Sequence, residues 1–359
     1  MHRIRTALFV SAAVLLGSCT KPQGEEHGTA IGFSTSTVSQ VEGTKSNHTG
    51  GVPTTDKNLK GNSFGVYGMY SVTDGGKGTN VFDFSSPVEV KYTTDIISNQ
   101  TNWTYTFSGS QYSEKKNWKR NMYYRFRAYH PYDKATLLQS SSSADGIDIE
   151  YRVLDDNYDL LLASATRYPA KDKEGYGTVQ MEFKHALCAL KFKIAFQNTV
   201  TPSNYTDSII HFYIKGLNAY GHLSYTGFGE KESFNWSGTF NSHDKLYEWH
   251  GNKEFGVNGA VVNESEKVKP TDILGPNEYF FAIPQKCSDE ANGLTYIHLF
   301  TKKSGGDKDE IDHTVNLPPL KWEAGKIYTY TLLVNKSDIE VSVTIEPWLT
   351  KQVPVDIYL

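Results

Sequence analysis

The sequence predicts an all-β protein organised as two domains. The 359 residues include 30 glycines, 23 tyrosines and 18 phenylalanines, and aromatic and β-branched side chains suit half-buried pleated surfaces. Short alternating runs separated by Gly, Asn, Asp and Pro recur along the whole chain, a pattern of sandwiches or barrels. Helical heptads are absent.

Residues 1–18 read as a lipoprotein signal peptide. Arg3 and Arg5 form a basic start, the apolar run Ala7 to Leu16 is too short to span a bilayer, and Gly17 and Ser18 are the small residues before Cys19. On this reading Cys19 is lipidated and becomes the first residue of an outer-membrane, surface-exposed lipoprotein, acyl chains together providing a stable anchor. The alternative is an ordinary secretory signal with an incidental cysteine. Residues 19–30, with Pro22, Gly24, Glu25, Glu26 and Gly28, read as a flexible tether.

Removing 18 of 359 residues leaves 341, enough for two domains of ordinary size, each with its own core. A formal charge of −4 without a dense basic cluster gives no electrostatic case for nucleic acid. Cys188 and Cys287 form either one bridge or two buried free thiols, since sequence does not supply the geometry a bridge needs.

The clearest strand is Ile339 to Glu346, with Ile339, Val341, Val343 and Ile345 on one dry face. In a second run Val179, Met181 and Phe183 point inward, and Leu190, Phe192, Ile194 and Phe196 continue in the opposite phase. A one-residue slip turns every side chain over, so an irregularity is expected between His185 and Ala189. Further strands are expected at residues 65–72, 123–129, 209–214, 278–283, 294–300 and 327–334, with Pro131 ending the second of these because proline cannot donate to a ladder. Residues 151–165, where Leu154, Leu160, Leu161 and Leu162 do not alternate cleanly, read as a partly helical or irregular connector. The stretch from Arg167 to Gly177 has no apolar periodicity, which places the domains at 31–175 and 176–359.

No catalytic site, metal site or cofactor is expected. Gly61-Asn62-Ser63-Phe64-Gly65 matches the G-x-S-x-G elbow, which needs an apolar strand before it and a helix after it; here the preceding segment is polar and a strand follows. Asp155, Asn157 and Asp159 have calcium-loop spacing, but Leu160 stands where glycine is required and Thr166 where glutamate is required. The 11 histidines form no zinc-ligand spacing. Trp236, Tyr247 and Trp249 fall in a stretch read as loop-rich and either offer aromatic faces to a glycan or pack beneath a long loop.

The stretches GVYGMYS at 65–71, YYRFRAYHPY at 123–132, DLLLASA at 159–165, VQMEFKHALCALKFKI at 179–194, IKGLNAYGHLSYTG at 214–227, YFFAIPQ at 279–285, WEAGKIYTYTLLV at 322–334 and IEVSVTIEPW at 339–348 together resemble the fimbrillin (Mfa-like) family of Bacteroidetes surface proteins. The resemblance lies in their order and spacing after a lipoprotein signal. It implies two tandem transthyretin-like β-sandwich domains and a non-enzymatic pilus subunit or adhesin. It also implies donor-strand exchange: a protease removes an N-terminal strand, and a strand of the next subunit fills the groove, supplying main-chain hydrogen bonds and alternate side chains.

Ile31, Phe33, Thr35 and Thr37 alternate and have the form of the removed strand; otherwise they are a permanent first strand. Val353, Val355, Ile357 and Leu359 have the form of the donor, or of a strand folding back on its own domain. No arginine occurs between Arg5 and Arg120, which departs from Arg-cleaved subunits; Lys45, Lys57 and Lys60 lie in a Gly-, Ser- and Asn-rich loop that a Lys-directed protease could cut, with Lys45-Ser46 as the candidate site. Expected partners are other pilus subunits or a second copy, host or bacterial surface glycans or proteins, and the membrane through the lipid. The rival reading is a lipid-anchored glycan-binding protein of a polysaccharide-uptake system.

Overall fold

A computed structural model of the chain describes residues 26–37, 62–82, 86–94, 101–106, 115–133, 136–137, 142–152, 158–168, 176–196, 206–240, 246–256, 270–274, 278–288, 295–303, 310–334 and 339–348. The first half runs β1 (Glu26–Ala30), β2 (Gly32–Thr37), β3 (Ser63–Ser71), β4 (Thr79–Asn80), β5 (Val88–Thr94), β6 (Thr101–Thr106), β7 (Asn117–Lys119), β8 (Tyr123–His130), β9 (Thr136–Leu137), β10 (Gly146–Arg152), β11 (Leu161–Arg167) and β12 (Thr178–His185). The second half runs β13 (Cys188–Phe196), β14 (Thr206–Lys215), β15 (Asn218–Thr226), β16 (Ser233–Phe240), β17 (Leu246–Gly256), β18 (Thr271–Asp272), β19 (Phe280–Ala282), β20 (Lys286–Cys287), β21 (Tyr296–Lys303), β22 (Glu310–Asn316), β23 (Leu320–Lys321), β24 (Lys326–Val334) and β25 (Ile339–Pro347). The fold is all-β: the described residues contain no α-helix, only a 3-10 turn at Gly229–Lys231.

Most strands of the first half form a sheet in the order β2-β12-β11-β8-β3-β5-β6, with β4 on β3, while β1 pairs with β7, and β9 and β10 join β15 and β16. This first sheet curls on itself, because the Phe33 ring of β2 lies 5.8 Å from the Tyr105 ring of β6. Its inner face closes over one apolar cluster, with Phe64, Val66, Val90, Phe126, Met181 and Phe183 at its centre. In the second half, β13 and β24 run parallel, with β25 antiparallel at the sheet's edge. They face the β17-β14-β21-β22 sheet, and Phe192, Phe212, Phe280 and Tyr330 interlock between them at centroid distances of 4.9 to 6.1 Å. This is sheet-on-sheet packing with aromatic filling.

The irregularity expected between His185 and Ala189 is present as the two-residue bend Ala186-Leu187. There the chain leaves one sheet for another: Val179, Met181 and Phe183 sit in the first cluster, Leu190, Phe192 and Ile194 in the second. The opposite phases of β12 and β13 serve opposite cores.

The connector expected at residues 151–165 is corrected. Of its described parts, residues 151–152 end β10 and residues 161–165 lie in β11, while only residues 158–160 between them are irregular and none is helical. Leu161 and Ala163 enter the first cluster while Leu160 and Leu162 enter the second. A strand buried on both faces loses the apolar-polar alternation by which strands are usually read. The dry face of β25 is also corrected: Ile339, Val341 and Val343 are half-buried and Ile345 is 45% exposed, because the strand lies at a sheet edge, paired with β24 alone among the described residues.

The outer face of the first sheet is fastened to the second half. Here β10 pairs along its whole length with β15, and Arg127 of β8 is fully buried beneath them. Its guanidinium lies 4.4 Å from the ring centroids of both Tyr225 and Phe228 and donates to the carbonyls of Ala144 and Gly227 at 3.2 and 2.5 Å. Burial lowers the pKa of Arg127, opposed by Tyr225 and Glu232. Gly227 has φ +76°, and a Cβ there would lie 1.8 Å from the Lys231 carbonyl oxygen, so this turn requires glycine. Beside it, the Glu232 carboxylate accepts from Ser164 of β11, Lys184 of β12 and Tyr225 of β15. One carboxylate thus joins strands of both halves.

Candidate assembly groove

The segment Glu26–Thr37 joins the first half through two strands and two deep side-chain anchors. β1 pairs antiparallel with β7, and the Ile31 N–H donates to the Lys116 carbonyl at 2.8 Å. β2 then runs parallel to β12, in register from Gly32 opposite Thr178 to Thr37 opposite Phe183. The other strand pairs described within this sheet are antiparallel.

Alternation decides which side chains enter. Ile31 is fully buried and Phe33 is 4% exposed, while the outward Ser34 hydroxyl donates to the Gln180 amide oxygen at 2.6 Å. Phe33 is met by Phe126 at 5.6 Å, Tyr105 at 5.8 Å and Phe82 at 6.4 Å. Burying a large apolar side chain stabilises by about 1.5–3 kcal/mol, so the two anchors together contribute roughly 3–6 kcal/mol, comparable with the net stability of a domain. Thr35 is half-buried and adds little.

The walls are prepared for these anchors. Tyr105 of β6 accepts the Lys116 N–H on its hydroxyl at 2.9 Å, and burial pushes its pKa up to about 12. The same residue, Lys116, therefore takes the Ile31 amide on its carbonyl and ties its own amide to the wall. Deeper in, Phe64 sits 5.0 Å from Trp103 and 5.2 Å from Phe183. On the sheet's outer side, a Cβ on Gly65 would lie 2.2 Å from the Tyr129 ring, which makes glycine necessary at that crossing.

Cys19, Lys45, Ser46, Val353, Val355, Ile357 and Leu359 lie outside the described residues. Trp236, Tyr247 and Trp249 were expected in a loop-rich stretch and are instead in strands: Trp236 in β16, Tyr247 and Trp249 in β17, which belong to different sheets. Trp236 is half-buried, donates its indole N–H to the Ala186 carbonyl at 2.9 Å and packs edge-on to Tyr151. Cys188 and Cys287 are buried free thiols, and burial pushes both pKa values up.

Ser63 begins β3, and its hydroxyl donates to Glu89 at 2.6 Å rather than to a histidine. It borders an open cavity of about 440 Å³ with Asn62, Glu89, Lys91 and Asp133. Asp159, read as a failed calcium ligand, is paired with His185 at 2.9 Å. Arg127, Glu232 and Trp348 were not singled out from sequence, because nothing in their local pattern separates a buried charge or anchor from a surface one.

A fimbrillin-like family model matches residues 52–348. The chain belongs to the fimbrillin-like family. Among solved structures, this fimbrillin-like chain is similar to a fimbrial protein from Bacteroides vulgatus, with TM-score 0.57 and 17% identity over 89% of this chain and 99% of that one. It is also similar to a proposed cell adhesion protein from Bacteroides ovatus, with TM-score 0.50 and 16% identity over 90% and 98% of the two chains. At such identities the likeness concerns the fold. A search of curated proteins finds no match.

Proposed function

We propose that this fimbrillin-like protein is a cell-surface fimbrial subunit or adhesin, exported as a lipoprotein acylated at Cys19, that assembles by strand replacement at the β2 groove. The observation that carries the reading is the seating of β2: a short parallel edge strand whose hold on the core is concentrated in Ile31 and Phe33. Residues 38–62 are its covalent link to β3, and Lys45-Ser46 falls within that link. A cut there leaves Glu26–Thr37 held by non-covalent contacts alone. Its departure would open an apolar slot along β12 and the nearby β6, which an alternating strand can refill with both backbone hydrogen bonds and side chains. Val353, Val355, Ile357 and Leu359 supply that alternation. Family membership and the fimbrial and adhesion proteins of similar fold support the assembly reading.

Mass spectrometry of material released from cells tests it. The expected result is a ladder-forming polymer whose subunits begin at Ser46. Monomers carrying an intact lipidated Cys19, with Glu26–Thr37 still attached, would overturn strand replacement and leave a permanently anchored adhesin.

A further inference from the structure

After β25 the described chain closes on Trp348. The four residues before it, Thr344, Ile345, Glu346 and Pro347, are all exposed, whereas Trp348 is 2% exposed. Its N–H donates to the Gly325 carbonyl at 2.7 Å, and the Gly325 N–H donates to Leu187 at 2.9 Å. Its indole lies flat on the His185 ring, 3.8 Å away at an interplanar angle of 5°, and near-parallel to Phe281 at 5.7 Å.

His185 is itself fixed: its Nδ1 pairs with Asp159 at 2.9 Å, with both side chains buried. It is the last residue of β12, at the bend where the chain passes from the first sheet to the second. Trp348 therefore bears on the end of the same strand along which β2 is seated.

We propose that Trp348 is a mechanical plug: it takes up any pull on the segment from residue 349 onward and passes it through His185 into β12, keeping tension off β25. Followed inward from residue 349, Trp348 is the first buried side chain the chain offers. Without it the pull falls on an edge strand whose last four side chains are solvated and whose inward Ile345 is 45% exposed, and such a strand is held mainly by its ladder to β24. The use of the plug in a fibre, where a neighbouring subunit would exert the pull, rests on the assembly reading; the mechanical property does not.

Single-molecule pulling on the full chain tests this without requiring assembly. One handle is placed on Val72→Cys, exposed on the first half, and the other on Lys351→Cys beyond the plug or on Thr344→Cys before it. With the Lys351 handle, the expected trace has no early release of β25. With the Thr344 handle, or with Trp348→Ala and the Lys351 handle, β25 detaches first at lower force. From the Lys351 handle, peeling its nine residues adds an early step of about 30 Å, and from the Thr344 handle the residues 339–344 add about 20 Å, at roughly 3.3 Å per residue. Trp348→Phe keeps a flat ring on His185 and costs no hydrogen bond, since the buried Trp348 Nε1 has no partner among the described residues; it is expected to behave as wild type.

An early step of about 30 Å in the unaltered chain pulled from residue 351 would overturn the proposal. So would identical forces from the two handles, a comparison that does not depend on the alanine variant folding. If the handles differ as expected but released material is monomeric with Cys19 attached, the plug stands and the assembly reading fails.

Discussion

Near opposite ends of the described chain, β2 and β25 are both edge strands of alternating sequence, yet they are held in different ways. β2 has six residues and pairs in parallel with β12, but Phe33 and the preceding Ile31 are wholly inside the core. β25 has nine residues in an unbroken antiparallel ladder with β24, but its apolar face is half-covered and ends on exposed Ile345. One adds deep side-chain anchors to a short ladder, and the other relies mainly on a long ladder. The difference teaches that two alternating edge strands can be secured by different means: a few deep side chains in a slot, or a long continuous ladder with an anchor at its end.

The largest expected effect lies in the slot. Phe33→Ala removes a ring packed against Phe82, Tyr105 and Phe126 and is expected to cost about 3–5 kcal/mol, read as a fall in the urea midpoint. A cost below that of Ile345→Ala would break the comparison. Next comes Arg127→Ala, which leaves the Ala144 and Gly227 carbonyls without their donor. A loss of about 3 kcal/mol is expected, since each buried orphaned group costs roughly 1–3 kcal/mol. Separate unfolding transitions for the two halves would show that this clamp is what couples them.

A smaller effect concerns acid. Burial pushes the Glu232 carboxyl up, but hydrogen bonds from Lys184, Ser164 and Tyr225 outweigh it and hold the pKa below the ordinary 4.5. A carboxylate so held stabilises the fold above pH 4.5 and loses that contribution as pH falls through its own lower value. Stability is therefore expected to drop below about pH 4.5 in the wild type and to drop less steeply in Glu232→Gln, as followed by urea unfolding at stepped pH. The smallest effect is Ile345→Ala, expected to stay within about 0.5 kcal/mol because the side chain is largely solvated.

Much of the fold was legible because period-two alternation survives wherever one sheet face is wet. The residues 179–183, 123–129, 327–334 and 339–346 all lie in strands, and the phase change after His185 marks a real bend. The residues at 158–165 were illegible for the opposite reason: both faces are dry at the start of β11, so Leu160 to Ala163 form a continuous apolar run. Of the candidate groove, the alternation of Ile31 and Phe33 was readable, but their parallel seat beside β12 was not. That pairing joins residues about 146 apart in the chain. Trp236 misled because an indole in a Gly- and Ser-rich stretch reads the same whether it faces solvent or, as here, spends its N–H on Ala186.

By itself the sequence determined the all-β class, most strand positions and the family, because side-chain alternation and turn chemistry are local properties written residue by residue. The tertiary structure alone decided which core each strand serves, that Arg127 and Glu232 bind the two halves together, that Phe33 fills a slot beside β12 and that Trp348 rests on His185. These depend on contacts between residues far apart in the chain. Local pattern does not encode such contacts, because an alternating strand is equally compatible with any partner that offers a dry face.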